Sequence, residues 1–195
     1  MRSLDTLLAS DKKLRAIGFD DAPFQRGLHS TVAVAGVVCS DTRFEGMLWG
    51  QVEQDGLDAT DQLCRLLTAS KFYQQVNLVL TDGIALAGFN IIDLPRLAQQ
   101  LNRPCIAVMR RPPNVAAVDR ALRTFVDYLQ RRQLLERAGP VHSQRGFVYQ
   151  QSGCTPESAA LALARLTDTG KVPEALRLAH LIGAAVVTGQ SSKRA

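Results

Sequence analysis

Only three residues, Ser40-Asp41-Thr42, separate two strand-like runs. Thr31 to Cys39 is rich in β-branched residues, and Arg43 to Glu53 alternates along its length. Parallel strands need a crossover of about a dozen residues or more. The two runs must therefore lie side by side in an antiparallel hairpin. Just before them, Leu14 to Asp20 alternates loosely, closes on an acid and reads as a first strand. Asp21-Ala22-Pro23-Phe24 is a turn, because Pro23 cannot donate to a ladder.

After the hairpin the period changes. Asp58 starts a helical pattern to about Phe72, with Leu63, Leu66 and Leu67 on one face. Asn77 to Gly83 is a short apolar run that ends in acid and glycine, a buried parallel strand. A helix is expected over 93–102 and a strand over Cys105–Met109. Strand, helix and strand form a βαβ unit with a right-handed crossover. A long helix is expected over about 116–133, a loop over 138–146 and a last short strand over 146–150. Two helices follow at about 156–166 and 173–186. A short helix at 4–8 belongs to an N-terminal extension, residues 1–12, and residues 189–195 read as a mobile polar tail. Three antiparallel strands followed by alternating helix and strand is the order of an RNase H-like fold. At 195 residues, 46% of them hydrophobic, the chain suits one such α/β domain.

Composition narrows the surroundings. Cys39, Cys64, Cys105 and Cys154 are far apart and make no Cys-x-x-Cys pair, so reduced structural thiols are expected. No signal-peptide pattern opens the chain, and no apolar run is long enough to span a membrane. A soluble, cytoplasmic protein is the expectation. The formal charge of +5 suits a polyanionic partner without requiring one. There is no phosphate-binding Gly-x-x-x-x-Gly-Lys loop, no Gly-x-Gly-x-x-Gly and no Gly-x-Ser-x-Gly elbow. Those absences argue against nucleotide hydrolysis by that loop, dinucleotide binding and serine hydrolysis.

Asp20 and Asp82 carry the candidate chemistry. Each closes an apolar strand, and in α/β sheets ligands bind beyond the carboxyl ends of strands. If the two strands are parallel neighbours, their carboxylates converge and repel unless a proton or cation intervenes. Hard oxygen donors suit Mg²⁺ or Mn²⁺. Both positions also suit ordinary turn-forming aspartates, and that reading stays open. Asp55 and Asp58 follow the third strand; Asp58 equally fits a helix N-cap and Asp55 an Asp-Gly turn. Asp21 ranks lower, since an extended backbone turns it away from Asp20. Glu53 reads as a solvated strand residue, and His29 and His142 as surface residues. His180 can ligate a metal or orient water, or be a satisfied, partly buried histidine. Phe89 can stack on a base and Asn90 read its edge, or the loop can simply pack Phe89 inward. Arg110 and Arg111 close the fifth strand, where they can hold phosphates. Arg131, Arg132, Arg137 and Arg145 fit a solvated basic face.

Four motifs in order carry a resemblance: Ile17 to Phe24, Asp55 to Thr60, Thr81 to Asn90, and Pro173-Glu174-Ala175-Leu176-Arg177-Leu178-Ala179-His180. Together they resemble the endonuclease dU family, which in turn looks like a relative of endonuclease V. The resemblance implies an RNase H-like fold and Mg²⁺-dependent cleavage of DNA bearing deaminated bases, with uracil the leading target. It implies that Asp20, Asp82 and a middle acid hold the metal. Endonuclease V has a glutamate in the middle position, and here Asp58 is the first candidate and Asp55 the second. It implies that His180 places a second ion or the water, and that Gly83, Phe89 and Asn90 line a base pocket. No counterpart of endonuclease V's strand-separating Pro-Tyr pair stands out. The rival readings are a non-catalytic nucleic-acid binder on the same fold, and a metal-dependent enzyme acting on a small phosphorylated or nucleoside substrate.

Overall fold

The computed structural model describes residues 3–10, 12–27 and 30–192. Strands β1 (Arg15–Asp21), β2 (Thr31–Ser40) and β3 (Arg43–Glu53) form the antiparallel set that the short turn demands. Helix α1 (Leu4–Leu8) precedes them, and α2 (Ala59–Thr68) follows. β4 (Leu78–Asp82) leads into a small hairpin, β5 (Ala85–Leu86) and β6 (Asn90–Ile91). Helix α3 (Leu94–Leu101) then crosses over to β7 (Cys105–Met109), completing the expected βαβ unit. Next come α4 (Val115–Leu122), α5 (Tyr128–Arg137), β8 (His142–Gln144) and β9 (Phe147–Ser152). Helices α6 (Pro156–Arg165) and α7 (Glu174–Thr188) finish the chain.

The seven-stranded sheet has the order β3-β2-β1-β4-β7-β9-β8. Parallel pairing joins β1 to β4 and β4 to β7; the remaining pairs are antiparallel. Apolar side chains alternate across the sheet into two layers. Ile17, Phe19, Val79 and Ala107 face α2 and α3, while Ala16, Leu80, Ile106 and Val108 face α1 and α6. Leu4 and Leu7 are buried in the second layer, so the expected N-terminal extension packs onto the domain. All four cysteines are free, and burial pushes the Cys39 and Cys154 thiols up to about 12.

Helix α7 lies across β1 and β2, with Ala175 and Ala179 against Ala35, Val37 and Cys39. The contact is close because β1 carries glycine there. A methyl group on Gly18 would sit 2.7 Å from the backbone of Ala175 and Leu176. No described helix is long and apolar enough to cross a membrane.

One expected element is wrong in form. The helix read over 116–133 is two helices, broken between Leu122 and Tyr128. Thr124 Oγ1 donates to the Ala121 carbonyl, and Phe125 turns inward to meet Phe89 edge to face. Two further expected elements differ only in extent: the helix over 58–72 ends at Thr68, and the loop over 138–146 contains β8. His29 and the last three residues of the tail lie outside the described residues.

Candidate metal centre and its neighbourhood

The parallel register pairs Phe19 with Thr81, so one residue further on Asp20 and Asp82 stand side by side. Both are therefore brought to the same edge of the sheet by backbone pairing alone. His180 reaches the same spot from α7, with its Nδ1 2.9 Å from Asp20 Oδ2. One donor atom from each of Asp20, Asp82 and His180 lies within 4.8 Å of the others. Small residues on α7 allow this approach: Ala175 rests against Gly18, and Gly183 against Ala22.

The electrostatics are those of crowded acids. Asp20 is 3% exposed, and its carboxyl is pushed up to about 8. Burial is the largest cause, followed by the charges of Asp82 and Asp21. Burial also raises Asp82, opposed by Arg110 and the His180 imidazole. Asp21 is raised by burial too, with Asp82 adding to it and the Ala87 amide opposing. Asp21 was expected to face away from Asp20. Instead its charge adds to the rise of the Asp20 carboxyl, and its Oδ2 accepts from the Ala87 amide in the loop that follows β4. The third acid near the pair is thus Asp21. Among the described residues, no lysine or arginine forms an ion pair with Asp20, Asp21 or Asp82.

Asp58, the first candidate for the middle acid, is engaged elsewhere. Its Oδ1 accepts from the Glu53 amide and from Asn90 Nδ2, and its Oδ2 from Gln62 Nε2. Asp58 stands at the N-cap of α2 without a side-chain capping bond. Asn90 caps that helix instead, its Oδ1 accepting from the Ala59 amide. Its Nδ2 donates to the Glu53 carbonyl as well as to Asp58. Asn90 is fully buried, and both of its amide atoms are hydrogen-bonded within the protein. Asp55 is a clamp: its Oδ1 accepts from the Phe89 amide, and its own amide donates to the Ala87 carbonyl.

Those bonds shape the loop after Asp82. Gly83 turns at φ +81°, its amide donating to the Val108 carbonyl. Ala87 sits at φ +49°, a strained position for a residue with a side chain. Asp21 Oδ2 holds it, accepting from the Ala87 amide at 2.5 Å. Gly88 is required beside it, since a Cβ there would lie 2.3 Å from Asp55 Oδ1.

Arg131, expected on a solvated face, is the buried keystone of this loop. It is 4% exposed, ion-paired with Asp127, and donates to the carbonyls of Asp55, Gly56 and Phe89. Its guanidinium lies 4.3 Å from the centre of the Phe125 ring. The i,i+4 pair Asp127–Arg131 is the sequence signal that marks it. Arg110 and Arg111 are exposed at the end of β7, with Arg110 near enough to Asp82 to lower its pKa. Beside them a cavity of about 740 Å³ opens between α4, α5 and the ends of β4 and β7. Ile84, Met109, Val115 and Leu122 give it apolar walls, and Gln150 a polar one. Phe89 is half-buried against Phe125 and does not line this cavity.

A mixed sheet of this order, with two acids meeting at the ends of its central parallel strands, defines an RNase H-like α/β protein. It is similar to endonuclease V of Ciona intestinalis in complex with a 24mer DNA containing an inosine followed by a ribo-adenosine, at a TM-score of 0.58 and 17% identity. That likeness covers 92% of this chain and 87% of the other, and it concerns the fold. A protein of unknown function from Archaeoglobus fulgidus is nearer, with a TM-score of 0.85, 34% identity, and 91% and 100% of the two chains covered. A UPF0215 protein of Deinococcus radiodurans is 40% identical over 178 residues, 91% of each chain. The pattern of the family described as Endonuclease dU matches residues 12–187. The chain belongs to the endonuclease dU family.

Proposed function

We propose that this protein is a divalent-metal-dependent endonuclease that hydrolyses phosphodiester bonds in DNA containing deaminated bases, with uracil the first base to test. One observation carries the reading: Asp20, Asp82 and His180 converge at adjacent strand ends, among acids with which no lysine or arginine forms an ion pair among the described residues. Uncompensated buried carboxylates are costly, and a cation among them removes the cost. The carboxylate oxygens suit Mg²⁺, and Mn²⁺, which tolerates a neighbouring imidazole more readily, is the substitute. Asp20 and Asp82 would hold the ion, with His180 and Asp21 alongside. Bound there, it would lower the pKa of a water and steady a departing oxygen.

The chain's own residues supply the rest. Asp20 orients the His180 ring through Nδ1, which leaves Nε2 for a water or phosphate oxygen. The exposed Arg110 and Arg111 give phosphate oxygens cationic donors next to the acids. The apolar cavity behind Ile84 and Met109 has room for a base taken out of its stack. The family membership and the endonuclease V-like fold support the same reading.

The test is incubation of purified protein with labelled oligonucleotides carrying uracil, hypoxanthine or no lesion, in Mg²⁺, Mn²⁺ or EDTA. Metal-dependent nicking of a lesion strand is expected, reduced at least about a hundredfold in Asp82→Asn. Nicking that persists in EDTA or in Asp82→Asn would overturn the assignment. Salt-sensitive binding without nicking in any metal would move the protein to the non-catalytic class.

A further inference from the structure

β3 is the outer strand of the seven-stranded sheet, and among the described residues nothing pairs with its free edge. A free edge presents unpaired amides and carbonyls, and proteins blunt it with charge, proline or a bulge. Here those devices stand at the ends of the strand: Arg43 and a bulge at Glu45 at one end, Glu53 at the other. Between them Gly46 to Val52 holds no charge and no proline. The two faces of β3 also differ. On the α2 side its own chain covers it, with Phe72 against Gly46 and Leu66 against Gly50. On the other side, Ala35, Val37 and Cys39 of β2 are covered by α7, and their partners across the ladder are Trp49, Met47 and Phe44. These three are not covered: Phe44 is 48% exposed, Trp49 39% and Met47 37%. Isolated exposed apolar residues need no account, but three in a row beside an open strand edge form a surface.

The order of residues along the strand says what fits it. Gly46-Met47-Leu48-Trp49-Gly50 is symmetric in size and character about Leu48. When two such strands pair antiparallel about a two-fold axis at Leu48, glycine meets glycine, Met47 meets Trp49 of the second copy, and Leu48 meets itself. Side chains alternate along a strand, so Met47 and Trp49 of both copies fall on the one face that α7 leaves bare. The same arrangement brings the Arg43 end of each strand beside the Glu53 end of the other. Arg43 and Glu53 are exposed, and neither forms an ion pair among the described residues. A polyanion would not be drawn here, where Glu45 and Glu53 outnumber Arg43. We infer that β3 is a self-association surface: two copies pair β3 with β3, antiparallel about Leu48, and join their sheets edge to edge. Main-chain hydrogen bonds set the register, and Phe44, Met47 and Trp49 of each copy supply the apolar area that a specific dimer needs. The candidate metal centre lies inward between β1 and β4, away from this edge, so the inference does not rest on the nuclease reading.

Trp49 is the chain's only tryptophan, so its emission reports on this surface directly. The experiment is sedimentation equilibrium of the full chain from about 1 to 100 μM, with emission spectra at the same concentrations. The wild type is expected to be a dimer at the upper end, its emission moving to shorter wavelength as the mass doubles. Met47→Lys acts twice in a two-fold dimer and should weaken association at least about tenfold. Arg43→Glu should weaken it severalfold, and Arg43→Glu/Glu53→Arg should restore it, because the swap remakes the same pairs in reverse. Circular dichroism checks that each variant is folded, and the charge variants, at exposed positions, decide the matter if Met47→Lys is not. A wild type that stays monomeric at about 100 μM would overturn the inference. So would a dimer whose Trp49 emission does not follow the mass, or one untouched by Met47→Lys, since the contact would then lie on another surface. A double variant no tighter than Arg43→Glu alone would overturn the antiparallel pairing about Leu48.

Discussion

At the scale of single residues, the structure separates side chains that hold the site from those that would act in it. Asp20 is an acting residue on the proposed reading, and its environment predicts a pH effect. An unfolded aspartate titrates at about 3.9, whereas folded Asp20 is pushed up to about 8 by burial and two neighbouring acids. Between those values the folded chain keeps a proton that the unfolded chain has released. Stability therefore falls as pH rises through that window. In EDTA, the melting temperature should drop from pH 5 to pH 8, and Asp20→Asn should flatten the slope. Equal slopes in circular dichroism melts of the two proteins would refute this. Added Mg²⁺ should restore the loss at pH 8, since an ion that binds only the folded chain stabilises it. Asn90 is a holding residue. Asn90→Ala strands the Ala59 amide and the Glu53 carbonyl, so urea unfolding should show a loss of about 2–4 kcal/mol. An unchanged midpoint with lost cleavage would return Asn90 to the base pocket. The sequence offered both readings of Asn90 because an amide after glycine and phenylalanine has the same chemistry whether it meets a base or a helix end.

The elements tell a similar story about what can be read in advance. The hairpin of β2 and β3 was legible because a three-residue link leaves one geometry, and the βαβ unit because apolar runs and amphipathic runs alternate. The break between α4 and α5 was not legible. α5 is polar nearly all round, so its periodicity carried no phase, and the signal lay in tertiary contacts of Phe125 and Arg131. Asp58 is hydrogen-bonded to Glu53, Asn90 and Gln62 rather than grouped with Asp20 and Asp82 for a related reason: sequence nearness to a strand end says nothing about which way a loop turns. The α7 packing makes an element-scale prediction. Gly18→Ala places a methyl 2.7 Å from backbone atoms, which cannot swing aside as a side chain can. The helix must lift from β1, taking His180 away from Asp20. A destabilisation of about 1–3 kcal/mol is expected, together with weaker Mn²⁺ binding by calorimetry. Weaker stability with unchanged Mn²⁺ affinity would show that His180 adds nothing to ion binding.

Over the whole molecule, the candidate site is legible only as a consequence of topology. Asp20 and Asp82 are 62 residues apart in the chain, and no spacing rule joins them. They meet because β1 pairs in parallel with β4, a relation supplied by fold type rather than by periodicity. Charge is distributed to the same end. Acids crowd the strand ends, and Arg110 just past β7 stands near enough to oppose the rise of Asp82, so on the proposed reading a polyanion drawn to that flank presents its phosphates to the acids. If that division holds, binding and chemistry separate cleanly. Wild-type affinity for DNA should fall linearly with the logarithm of salt, and each phosphate-holding arginine removed should lower the slope by about one. Arg110→Gln and Arg111→Gln should each do so equally for lesion and undamaged DNA, because phosphate contacts carry no base information. Asp82→Asn should leave the slope unchanged, since an acid releases no counterion from the nucleic acid. Fluorescence anisotropy between about 50 and 200 mM salt measures all three. An unchanged slope in both arginine variants would move the nucleic-acid track off this flank, to another surface of the sheet.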